Sequence, residues 1–142
     1  MSFDSIYRIA GSAMNAQTVR LNTVASNLAN AESAASSEDA VYKARKPVFA
    51  AVYENGELTR PVGMGGAHVQ VLDVVTTGRD PQRRYEPGNP LANAEGYVYY
   101  PDVNSIEEMT DMMSASRSFE TNVEVLNRIK SMQQGLLRLG EV

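Results

Sequence analysis

Cysteine is absent from this 142-residue chain, which excludes disulfides and thiolate metal sites. Histidine occurs once, at His68, so any imidazole chemistry would rest on that residue alone. No apolar run approaches the roughly 20 residues that a membrane-spanning helix needs, and membrane insertion is not expected. The opening residues, MSFDSIYRIAGSAMNA, lack both a basic n-region and a continuous apolar h-region, so no cleaved signal peptide is expected. Positive charge is not in excess either. The net charge is -4, whereas a nucleic-acid binder is usually basic, and no nucleic-acid partner is expected. Arg79, Arg83 and Arg84 cluster in GRDPQRR, but Asp80 interrupts them and Pro81 breaks a regular face; the stretch reads as a solvated loop.

Charge is also missing from one particular stretch. Residues 11–30, GSAMNAQTVRLNTVASNLAN, carry only Arg20, although their pattern is helical. Over residues 3–29, Tyr7, Gly11, Met14, Thr18, Leu21, Ala25 and Leu28 alternate spacings of four and three, as in a coiled-coil seam. Ile6, Ala10, Ala13 and Val24 widen that stripe on its flank. A second periodic segment starts at Ser105. NSIEEM offers Ser105 as N-cap and Glu108 three residues on, a capping box. Met109, Met112, Ser116, Phe119, Val123, Leu126, Lys130, Gln133 and Leu137 continue the three-four alternation, and Ile129, Met132 and Leu136 take it over near the end as the helical period drifts. Acids early (Glu107, Glu108, Asp111) and bases late (Arg128, Lys130, Arg138) suit the helix dipole, and Gly140 suits a stop. The two helices would be roughly 40 and 50 Å long.

The middle differs. Asn55-Gly56 in VFAAVYENGELTR is a two-residue hairpin signal. Residues 68–76 and 96–100 read as strands, Gly63, Gly65 and Gly66 as a loop, and 31–40 as a flexible joint. GRDPQRRYEPGNPLANAEG reads as irregular. The fold class is therefore α+β. Long N- and C-terminal helices pair as a coiled-coil-like α domain (1–31 and 105–142), with a small β-rich insert between them (32–104).

Chemistry has little to stand on. GMGG at 63–66 lacks the lysine and hydroxyl of a phosphate loop. NPLANAEG fails as a calcium loop, since Leu91 would fill the first ligand position. Glu107 and Glu108 serve a helix start better than acid–base work, and the methionines read as core filling. No catalytic residue, metal or cofactor is expected. The informative residues are Asn15, Gln17, Asn22, Asn27 and Asn30, amides standing where a solvated helix would use charge. An amide is satisfied by a neighbour's backbone or side chain far more cheaply than a buried charge. A helix touching other chains on several sides would choose such residues.

Three stretches carry a resemblance. SNLANAES (26–33) looks like the N-terminal signature of the flagellar basal-body rod proteins, and EMTDMMSASRSFETNVEVLNRIKSM (108–132) like the C-terminal signature shared by rod and hook proteins. YEPGNPLANAEGYVYYPDVN (85–104) is similar to a segment that marks the proximal-rod branch. The resemblance implies a non-enzymatic structural subunit. It would leave by the flagellar type III export apparatus with an uncleaved signal and assemble helically in the periplasm. Its terminal helices would line the rod, which transmits torque from motor to hook. Its neighbours would be other rod subunits, the adaptor of the export gate at the base, and copies of itself. The expected assembly interface comprises Tyr7, Gly11, Met14, Asn15, Thr18, Leu21, Asn22, Ala25, Asn27, Leu28 and Asn30 on the first helix, with Met109, Met112, Phe119, Val123, Leu126, Ile129 and Leu136 on the last. The alternative is a soluble coiled-coil adaptor holding a single cytosolic partner, for which a charged outer face on the first helix would be required. An enzyme built on the insert ranks below both.

Overall fold

The computed structural model describes residues 3–53 and 66–140. Helix α1 spans Phe3–Asn30 and helix α2 spans Ser105–Gly140, 28 and 36 residues. They run antiparallel, the start of one beside the end of the other. Tyr7 Oη donates to Gln133 Oε1 at 3.1 Å, the Arg20 guanidinium meets Asp111 at 2.9 Å, and Asn27 meets Glu108 at 3.0 Å. At about 1.5 Å per residue, α2 is longer than α1 by about 12 Å. Among the described residues, no helix is long and apolar enough to cross a membrane.

The start of α2 departs from expectation. Asn104, not Ser105, caps it: Asn104 Oδ1 accepts the Ile106 and Glu107 amides at 3.0 and 3.3 Å. The Ser105–Glu108 box does not form, because Glu108 is turned into the protein toward α1. An asparagine one residue upstream satisfies the same orphan N–H groups and frees that carboxylate for another task.

Strands β1 (Arg45–Tyr53) and β2 (Ala67–Thr76) form an antiparallel ribbon, with Arg45 opposite Thr76 and Tyr53 opposite Ala67. A bulge lies where Val48 faces Asp73 while Phe49 faces Val71, leaving Leu72 as the extra residue. The partner of β1 is therefore β2, not the residues that directly follow Asn55-Gly56; that expected turn and Gly63 and Gly65 lie outside the described residues. The ribbon lies along α1, held where Ser12 Oγ accepts the Val69 amide at 3.0 Å.

A second antiparallel ribbon pairs β3 (Gln82–Tyr85) with β4 (Tyr97–Tyr100). β3 corrects the reading of GRDPQRR as irregular. Two of its four residues are charged, but they find partners across the ribbon: Arg83 lies over the Tyr97 ring at 4.4 Å and Arg84 over Tyr100 at 4.6 Å. The joint at 31–40 is likewise engaged, since Ala35 and Tyr99 exchange two backbone hydrogen bonds at 2.9 and 3.0 Å and Glu38–Ala40 form a 3-10 turn. Between β3 and β4 the chain turns through Gly96, at φ 82°, where an added Cβ would stand 2.9 Å from the Tyr85 ring.

The dry core is thin. Its buried apolar residues are Ala10, Ala16, Val24, Val41, Ala44, Val98, Ala115 and Ile129, four of them alanines. Meanwhile Leu72, Ile106, Met109, Met113, Met132, Leu136, Leu137 and Leu139 are exposed. Large side chains outside and small ones inside is the reverse of a self-sufficient domain.

Candidate assembly surface

The junction of the helices is built around Asn27, 1% exposed. Its Nδ2 donates to the Arg45 carbonyl at 2.8 Å and to Glu108 Oε2 at 3.0 Å. Its Oδ1 accepts the Tyr42 hydroxyl and the Arg45 amide, each at 2.9 Å. Both donors and both acceptor positions of one amide are thus filled, by residues of α1's follower, β1 and α2. Tyr42 Oη also lies 3.1 Å from Ser26 Oγ. Glu108, 5% exposed, sits in the first turns of α2, where the helix dipole favours its negative charge. Sequence reasoning placed Asn27 on the surface offered to partners; it belongs instead to the protomer's own interior.

The inward stripes follow. On α1, Ala10, Ala16, Thr23, Val24 and Asn27 are buried, so the flank that periodicity ranked second is the side turned in. On α2, Glu108, Ala115 and Ile129 are buried, with Met112, Phe119, Asn122, Leu126 and Gln133 half-buried in the same row. Met112, Phe119, Leu126 and Ile129 therefore belong to the inner face, as does Tyr7 through Gln133. Met14, Leu21, Leu28 and Asn30 are half-buried, and Asn30 Nδ2 turns back to the Ser26 carbonyl at 2.8 Å.

The outward stripe of α1 comprises Asn15, Thr18, Asn22, Ala25 and Ala29, all exposed, at spacings of three and four. Gly11 extends this row, with open space where a Cβ would stand. Not one of these residues is charged. Arg20, the single charge of the run, is drawn sideways into its pair with Asp111. Asn15 and Asn22 make no side-chain hydrogen bond within the described chain, and the Thr18 hydroxyl is consumed by the Met14 carbonyl at 3.0 Å. On α2, Met109 is 55% exposed and points away from α1, as do Ile106 at 77% and Met113 at 58%. These three form an apolar patch on the first turns; Ile106 and Met113 were missed, although their spacing of three and four around Met109 is legible in the sequence. Val123 and Leu136 are also exposed. The methionines at 109, 113 and 132 are therefore not core filling.

Little else resembles a chemical site. His68 lies on β2 with Nδ1 buried and without a hydrogen-bond partner, so no carboxylate orients the ring through that nitrogen. In the β3–β4 turn, Glu86 Oε2 accepts the Tyr100 hydroxyl at 3.1 Å and the Asn89 amide at 2.9 Å. That acceptance, with desolvation and the carboxylate's charge, raises the Tyr100 pKa above its ordinary 10.0.

Two long antiparallel helices, a thin core, and uncharged or apolar faces turned outward are the features of a structural subunit. Comparison with known proteins gives the particular kind. The family model described as flagella basal body rod protein matches residues 8–33, and that described as flagellar basal body rod FlgEFG protein C-terminal matches residues 94–139. The flagellar basal-body rod protein FlgC of Escherichia coli O6:H1 is 47% identical over 141 residues, covering 99% of this chain and 100% of that protein. FlgC of Salmonella typhimurium is 45% identical over the same span. FlgC of Bacillus subtilis is 34% identical over 144 residues, covering 94% and 95% of the two chains. The chain belongs to the flagellar basal-body rod protein family, and it is FlgC-like over its full length.

Proposed function

We propose that the chain is a building block of the proximal rod of the flagellar basal body, which it joins through its terminal helices. Residues 1–31 and 105–142 act as the axial domain, paired along a coiled-coil-like seam, and 32–104 as the insert that braces it. The subunit leaves through the flagellar type III export apparatus with its N-terminus uncleaved and assembles helically in the periplasm. It meets other rod subunits, copies of itself and the export-gate adaptor at the base. It performs no catalysis; its work is to carry torque.

The observation that carries this reading is the uncharged outward stripe Gly11–Asn15–Thr18–Asn22–Ala25–Ala29. Water gives no reason to strip charge from a helix face, whereas packing against other chains does. The adaptor alternative would need a charged outer face there, and none of the relatives supports it. Asn22→Lys together with Ala25→Glu tests the reading. The variant is expected to fold and be made at normal level, yet to be absent from purified basal bodies and to leave cells non-motile. Normal incorporation would overturn it.

A further inference from the structure

Two arginines on the insert hold an unusual position. Arg83 and Arg84 are adjacent and exposed on β3, which pairs with β4 on one side only, while the far side of β4 is bridged by Ala35. β3 is thus the outer edge of the ribbon. Adjacent strand residues point to opposite faces, so the ribbon carries one arginine over Tyr97 and the other over Tyr100. Tyr85 packs edge-on against Tyr97 at 5.3 Å and steadies the first of these stacks. Stacking fixes each guanidinium; Arg84 Nη2 also donates to Gln82 Oε1 at 3.4 Å, a long bond that leaves its remaining N–H groups, like those of Arg83, for an acceptor.

Of the carboxylates nearby, Glu32 stands close enough for its charge to act on Tyr100 but is in no ion pair among the described residues, and two others are engaged elsewhere. Asp102 is held by Arg79 at 3.7 Å and Gln82 at 3.2 Å, and Glu86 by Tyr100 and Asn89. Among the described residues, neither Arg83 nor Arg84 is in an ion pair, although Arg20, Lys46, Arg79 and Arg128 are. On the same lobe the opposite charge is equally unmatched. Glu38 and Asp39 stand side by side in the exposed 3-10 turn, and no side-chain partner meets either among the described residues. One copy therefore offers two pre-set cations at a strand edge and two adjacent anions on a tight turn.

We infer that these two features meet between copies: the Glu38–Asp39 turn of one subunit docks on the Arg83–Arg84 edge of the next. The contact is head-to-tail, since each copy gives its acids to one neighbour and its arginines to the other, and such a contact builds rings or helices rather than closed pairs. The tyrosine stacks hold the guanidiniums in place before docking, so little side-chain freedom is lost on contact. Placed outside the helical contacts, the charge pair fixes which neighbour is accepted and in what register, because like charges brought together in the wrong pairing repel strongly. This inference rests on the rod-subunit reading and adds a lateral partner surface to it.

Charge reversal and its rescue test it. Arg83→Glu with Arg84→Glu should lower incorporation into basal bodies by at least about tenfold. Adding Glu38→Arg and Asp39→Arg to the same chain should restore it, because every contact in the assembly then carries the swapped pair. Reversal without effect overturns the inference while leaving the rod reading intact, and so does a loss that the second pair fails to rescue, which would assign the arginines to a different protein. The cysteine-free chain allows a second measurement. Asp39→Cys with Arg83→Cys, oxidised in isolated basal bodies, should give a ladder of multiples of this chain. The appearance of only monomer in rods that have assembled normally would contradict the docking.

Discussion

The Asn27 side-chain amide and the Glu108 carboxylate meet at 3.0 Å in the buried junction of the two terminal helices. The residues are 81 positions apart, so their contact records the whole path of the chain through both ribbons and back. Because Asn27 also binds the Arg45 backbone on both its N–H and its carbonyl, the junction locks helix, helix and insert at one point.

Asn27→Ala should therefore cost about 3 kcal/mol of unfolding free energy, since it strands a buried carboxylate and the Arg45 amide without partners. Urea unfolding followed by tyrosine fluorescence measures this. Asn27→Asp should be worse at neutral pH, with two carboxylates face to face, and should recover as the pH falls and one of them protonates.

Gly96→Ala should lose about 1–3 kcal/mol. The backbone there is left-handed at φ 82°, and the new Cβ would press on the Tyr85 ring and on Pro87. Thermal melting of the variant checks the loss, and Gly135→Ala on α2, where a Cβ meets only open space, is the control expected to gain slightly.

Tyr100 should be a late-titrating phenol. Its pKa is raised above 10.0, chiefly by its hydrogen bond to Glu86, so the folded state prefers the neutral ring. That contribution to stability is complete below pH 10 and is lost as the pH climbs through the raised value. Absorbance titration should show the Tyr100 phenol ionising above its ordinary value, and Glu86→Gln should bring it back toward that value.

Much of this was legible in residue order. Helix periodicity placed the end of α1 and the start of α2 within a residue, and β-branching placed β2. The phase of the seam was not legible. A period says how often a helix returns to its partner, not which side faces it. The choice is made here by Asn27 and Glu108, two polar residues whose burial depends on each other and on the Arg45 backbone. On α2 the inner row runs 108, 112, 115, 119, 122, 126, 129, against an expected 109, 112, 116, 119, 123, 126, so that every second position moved by one residue. β3 was hidden for a related reason. Apart from Tyr85, QRRY has little strand propensity of its own, and the tyrosines of β4, fifteen residues on, make its arginines welcome.

The expected interface residues divide along the same line. Tyr7, Met112, Phe119, Leu126, Ile129 and Asn27 close the protomer on itself. Gly11, Asn15, Thr18, Asn22, Ala25 and Met109 face outward, where we propose that other subunits lie. The run without charge has two halves: one side packs inside the chain, the other is the face we propose for packing between chains, and its single arginine is tied to Asp111.

Amide hydrogen exchange, compared between the isolated chain and the same chain in purified basal bodies, tests completion by neighbours most directly. The outer helical segments, residues 3–20 and 117–140, should exchange quickly in the free chain and become strongly protected on assembly, while the junction around Asn27, Arg45 and Glu108 should change least. Equal protection of those segments in the two states would contradict it.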